Sequence, residues 1–328
     1  MGQLDGKIAI VTGTSRGVGV GISRRLLEAG ATVVGCSRRE LPALPAAAGL
    51  DDDGKRSAQW VCNQEDLGQI DAFVQRVVDS FGRIDILVNN AGGTLPVPVP
   101  EDIPPLLAKI QGAPRSDDDF TRTALFHAYA IQNNLTSPLW FALRAARQML
   151  GQDGVASIVN ISSGASHPAG SPTLVSYGAA KSGLNHITKS LAQEWGPKIR
   201  VNCLALGPTV TENFRNLVLG GEERAEDYFR NVPIRRAGEP EEVGDAVVFL
   251  CSGRVDVING ATLEMDGGML PGVLYEPGIA PIRALLENAG LPSGRPGSRP
   301  ASTPRRSTDD GTHRPGTRAV RSERKDGC

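Results

Sequence analysis

From residue 7 to about residue 270 the chain alternates between short apolar runs rich in β-branched residues and longer segments of helical period. The runs read KIAIVTG, ATVVGC, AQWVC, DILVNNAG, ASIVNIS, IRVNCLAL and ATLEMDGG. The longer segments are amphipathic. In EDLGQIDAFVQRVVDSFG, Leu67, Ile70, Phe73, Val74, Val77 and Val78 share one helical face. Strands that are apolar on both faces and separated by helices belong in a parallel sheet covered on both sides. The seven runs therefore predict a single doubly wound α/β domain over residues 1–271, with a seven-stranded parallel sheet flanked by helices.

Two regions break the alternation. Residues 93–119, GTLPVPVPEDIPPLLAKIQGAPRSDDD, are rich in proline and acid and read as an extended insertion loop after the fourth strand. Beyond a short C-terminal extension at 272–289, residues 290–328 are dense in Pro, Gly, Ser and Arg, with nine Lys or Arg against four Asp or Glu. That composition has little to bury and predicts a disordered basic tail. It lacks interleaved aromatics, so no nucleic-acid role is assigned to it.

Composition narrows the class. The chain is 40% apolar and 22% charged with a formal net charge of -1, which calls for neither nucleic acid nor an anionic membrane. No apolar run approaches the ~20 residues needed to span a bilayer. Cys36, Cys62, Cys203, Cys251 and Cys328 form no short-spaced pair. The expectation is a reduced, cytoplasmic protein with no metal site.

The first strand runs into IAIVTGTSRGVGVGISRRLLEAGA, with glycines at 13, 17 and 19. Gly13 permits the tight turn, Gly17 lets the backbone approach a pyrophosphate, and Gly19 allows close helix–strand packing. The following helix N-terminus offers N–H groups and a positive dipole end to phosphate. An acid at the end of the second strand would bind a ribose 2′-hydroxyl; here that strand runs into Ser37, Arg38 and Arg39, with Arg16 in the glycine loop. Guanidinium groups suit a 2′-phosphate, which favours NADP(H). NAD(H) is the alternative if Glu40 turns inward to the ribose.

In SYGAAKSGL, Tyr177 and Lys181 are four residues apart and share a helix face. A free phenol has a pKa near ~10, and an ammonium beside it favours phenolate. Bringing it down by ~3 units needs roughly 4 kcal/mol, to be supplied by the nearby ammonium together with an oxidised nicotinamide. The strand ASIVNIS ends in Ser162 and Ser163, where a hydroxyl can donate to a developing oxyanion. The Asn89–Asn90–Ala91–Gly92 corner ends another strand. Asn134 interrupts a long helical segment, where asparagine is disfavoured unless it has a task.

Together TGTSRGVG, NNAG, NLTS, ISS, YGAAK and the closing INGATLEMDGG resemble the short-chain dehydrogenase/reductase family from residue 5 to about 270. The resemblance implies a Rossmann-type fold and a catalytic tetrad of Asn134, Ser163, Tyr177 and Lys181. Tyr177 is the implied proton donor or acceptor, and Ser163 holds the substrate oxygen. Lys181 binds the nicotinamide ribose and tunes Tyr177, and Asn134 holds a water linking Lys181 to solvent. Cofactor contacts are implied for Gly13, Ser15, Arg16, Gly17, Val18, Gly19, Ser37, Arg38, Asn63, Asn90, Ala91, Gly92, Tyr177, Lys181, Gly207, Val210 and Thr211. Asn63 stands where the family usually has an aspartate beside the adenine, and Leu206 replaces the usual proline before Gly207.

The segment VPIRRAGEPEEVGDAVVFLCS is similar to 3-oxoacyl-carrier-protein reductases and many of their relatives. The expected activity is NAD(P)(H)-dependent interconversion of a ketone or aldehyde with an alcohol. A catalytically silent regulator or scaffold is the alternative, and a broken tetrad would mark it. The expected partner is a small carbonyl or alcohol substrate, in a homotetramer or homodimer built on helices near 122–150 and 177–196. The substrate pocket is expected from GASHPAGSPTLV, including His167, from the insertion, and from a lid after Thr211 hinged at Gly220–Gly221.

Overall fold

Seven parallel strands lie in the order β3-β2-β1-β4-β5-β6-β7. They are β1 (Ile8–Thr12), β2 (Thr32–Ser37), β3 (Ser57–Val61), β4 (Ile86–Asn89), β5 (Ala156–Ser163), β6 (Ile199–Leu206) and β7 (Thr262–Met265). This is the single doubly wound sheet the apolar runs predict. The computed structural model describes residues 2–51, 53–93, 119–168, 174–211, 229 and 232–269. Most of the 93–119 insertion, the lid with its Gly220–Gly221 hinge, the C-terminal extension and the basic tail lie outside the described residues.

Six α-helices are described: α1 (Val18–Glu28), α2 (Leu67–Phe81), α3 (Asp119–Ile131), α4 (Ser137–Gly151), α5 (Val175–Trp195) and α6 (Pro240–Cys251). Their ends are set by local sequence. Asp66 caps α2 by accepting from the Gly68 and Gln69 N–H groups at 2.8 and 3.1 Å, and Gly82 ends it in the left-handed region. Glu239 and Glu242 form a reciprocal capping box at α6, with Pro240 in its first turn.

The helices cover both sheet faces. On one side Phe141 of α4 stacks edge-to-face on Phe73 of α2 at 6.1 Å, over Ile10, Leu87 and Ile158. On the other, α1 and α6 cross over Val11, Val88 and Leu204. The crossing is close because Gly21 and Gly244 face it: a Cβ at Gly21 would lie 2.4 Å from the Pro240 carbonyl carbon.

The long helical segment expected near 122–150 is helical throughout, with one change of register. Between α3 and α4 the chain makes a wide π-turn at Gln132–Thr136, where the Ser137 N–H donates five residues back to the Gln132 carbonyl. Pro138 follows directly. It has no N–H, so the Asn134 carbonyl has no donor four residues on. Asn134 itself donates from Nδ2 to the Ala130 carbonyl at 2.9 Å, supplying from its side chain a bond that the widened register disturbs.

Candidate functional site

Parallel strands put all their C-terminal ends at one edge, and the strand order reverses between β1 and β4, which opens a crevice there. The glycine loop after β1 forms one wall. Gly13 and Gly17 have φ of 74° and 60°, conformations that suit glycine. A Cβ at Gly19 would lie 2.2 Å from the Gly13 carbonyl oxygen, so α1 starts flush against the loop. Gly17 brings no side chain to cap α1, and Val18 is partly buried beside it. Ser15 and Arg16 are exposed at the loop's outer side. This bare, uncapped helix start suits a pyrophosphate.

The NNAG corner is bolted to that loop. Thr12 Oγ1 accepts from the Asn90 and Ala91 N–H groups at 3.0 and 2.9 Å. Asn90 Nδ2 donates to the Thr12 and Gly13 carbonyls at 2.8 and 3.1 Å. Thr211 closes from the other side: a Cβ on Gly17 would meet its methyl at 3.3 Å. The turn carrying Val210 and Thr211 is anchored where Val210 N–H donates to the Gly238 carbonyl at 2.8 Å. Gly207 packs so tightly on Asp266 that a Cβ would lie 2.6 Å from its Cα, so Leu206 leaves the turn after β6 in place. The bare backbone of the glycine loop and the uncapped start of α1 fit the pyrophosphate of a dinucleotide.

At the β2 end, Ser37 Oγ donates to the Arg39 carbonyl at 2.7 Å and accepts from Gln59 Nε2 at 3.0 Å, which holds the turn carrying Arg38. Arg38, Arg39 and Glu40 are all exposed. Asn63 Oδ1 accepts from the Glu65 N–H at 3.3 Å, so its carboxamide braces its own loop. The same loop makes a buried pairing that sequence reasoning missed, between Glu65 and Tyr129 of α3. Glu65 is 2% exposed and Tyr129 is 4% exposed. Burial pushes the Glu65 carboxyl above the usual carboxylate range, while the Tyr129 hydroxyl and the Arg38 charge pull it back. Tyr129 rises to about 12, from burial first and then from the Glu65 charge. The buried face Leu125–Tyr129 on α3 was the available signal, and an acid beside the helix-capping Asp66 gave none.

At the β5 end the paired serines diverge. Ser162 is buried and its Oγ donates to the Lys181 carbonyl at 3.2 Å. Ser163 Oγ accepts from the Ala165 N–H at 3.2 Å and hydrogen-bonds Tyr177. Asn134, fully buried, donates to the Gly93 carbonyl at 3.0 Å and accepts from the Gly93 N–H at 2.8 Å. A Cβ on Gly92 would meet Asn134 Oδ1 at 2.7 Å and Lys181 Nζ at 3.6 Å, so the NNAG corner, Asn134 and Lys181 converge. His127 of α3, another residue that sequence reasoning passed over, bonds Ser176 Oγ through Nδ1 at 2.9 Å, next to Tyr177. His167 is partly buried.

Two opposing influences act on the Tyr177 phenol. Burial pushes the phenol up, and the bond to Ser163 is what pulls it partly back. Lys181 Nζ donates to the Ile161 carbonyl at 2.8 Å and sits 5.7 Å from the Tyr177 ring centroid. Burial also holds the Lys181 amine down to about 8.

A buried polar ladder fixes these elements. Asn89 Nδ2 donates to Asn160 Oδ1 at 2.9 Å and to the Pro138 carbonyl at 3.1 Å. Asn160 Nδ2 donates to Thr188 Oγ1 at 2.9 Å, tying β4 and β5 to α5. No cluster that could hold a metal ion occurs among the described residues, and no described helix is long and apolar enough to cross a membrane.

A family model described as Enoyl-(Acyl carrier protein) reductase matches residues 13–270. The 3-oxoacyl-[acyl-carrier-protein] reductase FabG of Vibrio harveyi is 35% identical over 268 residues, 81% of this chain and 98% of that protein. The 2-dehydro-3-deoxy-D-gluconate 5-dehydrogenase of Escherichia coli is 31% identical over 82% of this chain and 97% of its own length. Among solved structures, a short-chain dehydrogenase/reductase from Serratia marcescens is 29% identical, covers 81% of this chain and 98% of its own, and superposes with a TM-score of 0.65. With the crevice, the glycine loop and the parallel sheet, these matches show that the chain belongs to the short-chain dehydrogenase/reductase family and is an NAD(P)-dependent carbonyl/alcohol oxidoreductase.

Proposed function

We propose that the protein reduces a ketone to a secondary alcohol, and runs the reverse reaction, with Tyr177 exchanging the proton at the substrate oxygen. The observation that carries this reading is the meeting of the Tyr177 and Ser163 hydroxyls at the C-terminal end of β5, with Lys181 one turn along α5. A bound nicotinamide supplies the hydride that ends on the carbonyl carbon. Ser163 donates to the carbonyl oxygen and orients it. Tyr177, kept protonated by burial, gives its proton to that oxygen. Lys181 then offsets the phenolate charge, and the Asn134 carbonyl, which Pro138 deprives of its α-helical donor, accepts from a water that restores the proton through Lys181.

NADP(H) is the proposed cofactor, because the first side chains beyond β2 after Ser37 are Arg38 and Arg39. Gly13, Gly17, Gly19 and Thr211 hold the pyrophosphate and nicotinamide end, and Asn90, Ala91 and Gly92 line the floor. Relatives named for 3-oxoacyl, sugar-acid and 3alpha-hydroxysteroid substrates all fit a ketone or secondary alcohol. Exposed Leu143 and Leu150 on α4 support assembly of copies through that helix.

The test is cofactor oxidation with a panel of ketones and both NADPH and NADH. Tyr177→Phe should bind NADPH as the parent does and lose turnover by about a thousandfold. Parental turnover in that variant would assign the proton to another group.

A further inference from the structure

The π-turn leaves carbonyls that the helix itself cannot serve. Ser137 gives its N–H to Gln132, and Pro138 has none. The Asn133 carbonyl therefore lacks a main-chain donor both four and five residues on. It accepts instead from Gln64 Nε2 at 3.1 Å, and the same amide reaches Asn133 Oδ1. Gln64 is 7% exposed and comes from the loop after β3, 69 residues away in sequence. Its neighbour Glu65 meets Tyr129, one turn earlier on the helix. Two consecutive buried side chains of the adenine-end loop thus hold two consecutive turns of the element that carries Asn134.

We propose that Gln64 is a positioning residue for Asn134: its amide serves the Asn133 carbonyl and keeps the turn wide. The inference rests on the proposed role of Asn134 in proton return. Without that donor, the Asn133 carbonyl competes for the Ser137 N–H. If it wins, the bond moves from five residues to four, the turn tightens, and Asn134 rotates away from Gly93 and Lys181. The adenine end of the crevice and the proton-transfer end are then linked by one amide.

Two variants test this. Gln64→Leu keeps the volume and removes the donor. In the cofactor-free protein, its 132–139 segment should exchange amide hydrogens for deuterium at an altered rate, about tenfold from the parent. Its kcat should fall by about tenfold with a shifted pH profile, while the ketone KM and the NADPH Kd stay within about twofold. Gln64→Glu, nearly isosteric, cannot donate to the carbonyl when ionised. Its kcat should recover towards the parent as pH falls and the new carboxyl takes up a proton. Glu65, Tyr129 and Arg38 are the charged and titratable groups nearby; the new carboxyl and Glu65 titrate as a pair, so the recovery is read across the pH range of that pair relative to the parent.

Parental exchange, kcat and pH profile in Gln64→Leu overturn the proposal. So does a loss confined to NADPH Kd, which would make Gln64 a cofactor contact. If Gln64→Leu does not fold, Gln64→Glu decides alone: a kcat that stays low at every pH, or is parental at every pH, overturns it. Tyr177→Phe run alongside separates the two readings, since parental turnover there sinks the proposed mechanism whatever Gln64 does.

Discussion

Lys181 should make the protein less stable at neutral pH than in mild alkali, and Lys181→Met should remove that dependence. The lysine is 4% exposed, and burial takes its amine from the ordinary 10.5 to about 8. At about 1.4 kcal/mol per unit, holding the charge costs the folded state about 3 kcal/mol at pH 7, where both folded and unfolded chains are protonated. Between about pH 8 and 10.5 the unfolded chain binds the proton and the folded chain does not, so stability rises with pH through that window. Losing the bond to the Ile161 carbonyl costs the variant about 1.5–3 kcal/mol, an offset that leaves the pH-dependent part intact. Urea unfolding followed by tryptophan fluorescence, at one protein concentration, gives the difference between parent and variant. From pH 7 to pH 9.5 the parent should gain about 2 kcal/mol on the variant. A difference that stays constant, or shrinks, would mean that the amine is not held below its ordinary value and that the burial argument is wrong.

Named contacts give three further outcomes. Glu65→Gln removes a buried negative charge near Arg38, so the NADPH-over-NADH ratio of kcat/KM should rise by about threefold, and the gain should fade as pH falls through the raised Glu65 pKa; a ratio unmoved at all pH values would separate Glu65 from cofactor choice. Gly19→Ala drives a Cβ onto the Gly13 carbonyl oxygen at 2.2 Å, and fluorescence titration should show NADPH affinity weakened by about tenfold or more; parental affinity would contradict the described fit of loop and helix. Gly21→Ala gains helix propensity of about 1 kcal/mol but collides with Pro240, so chemical denaturation should show a net loss of about 1–2 kcal/mol, and a more stable variant would refute the tight α1–α6 crossing.

How far the sequence could be read depended on whether a feature is local. The strands were legible because a strand buried on both faces must be apolar throughout, as IAIVT of β1 is. The glycine loop was legible because its turn needs glycines at fixed offsets. The Tyr177–Lys181 face was legible because helical spacing alone places it. What stayed hidden was the partner choice of polar groups distant in sequence. Nothing local says that Gln64 turns inward to Asn133, that Glu65 finds Tyr129, or that Lys181 bonds the Ile161 carbonyl before it influences Tyr177. The π-turn could have been suspected, since NLTSP places proline four residues after Asn134, but nothing local says that Gln64 of another loop serves its Asn133 carbonyl.

The amide ladder from Asn89 through Asn160 to Thr188 gives α5 a single axial address. Thr188 lies about three turns beyond Tyr177, and eleven steps of ~100° bring it back to within about 20° of the same azimuth. A helix docked by grease alone could slide a little at small cost. Here any slip strands a dry carboxamide, at about 1–3 kcal/mol. The phenol's aim at the rim is thus keyed roughly 16 Å below it, in a stretch of core that touches no ligand.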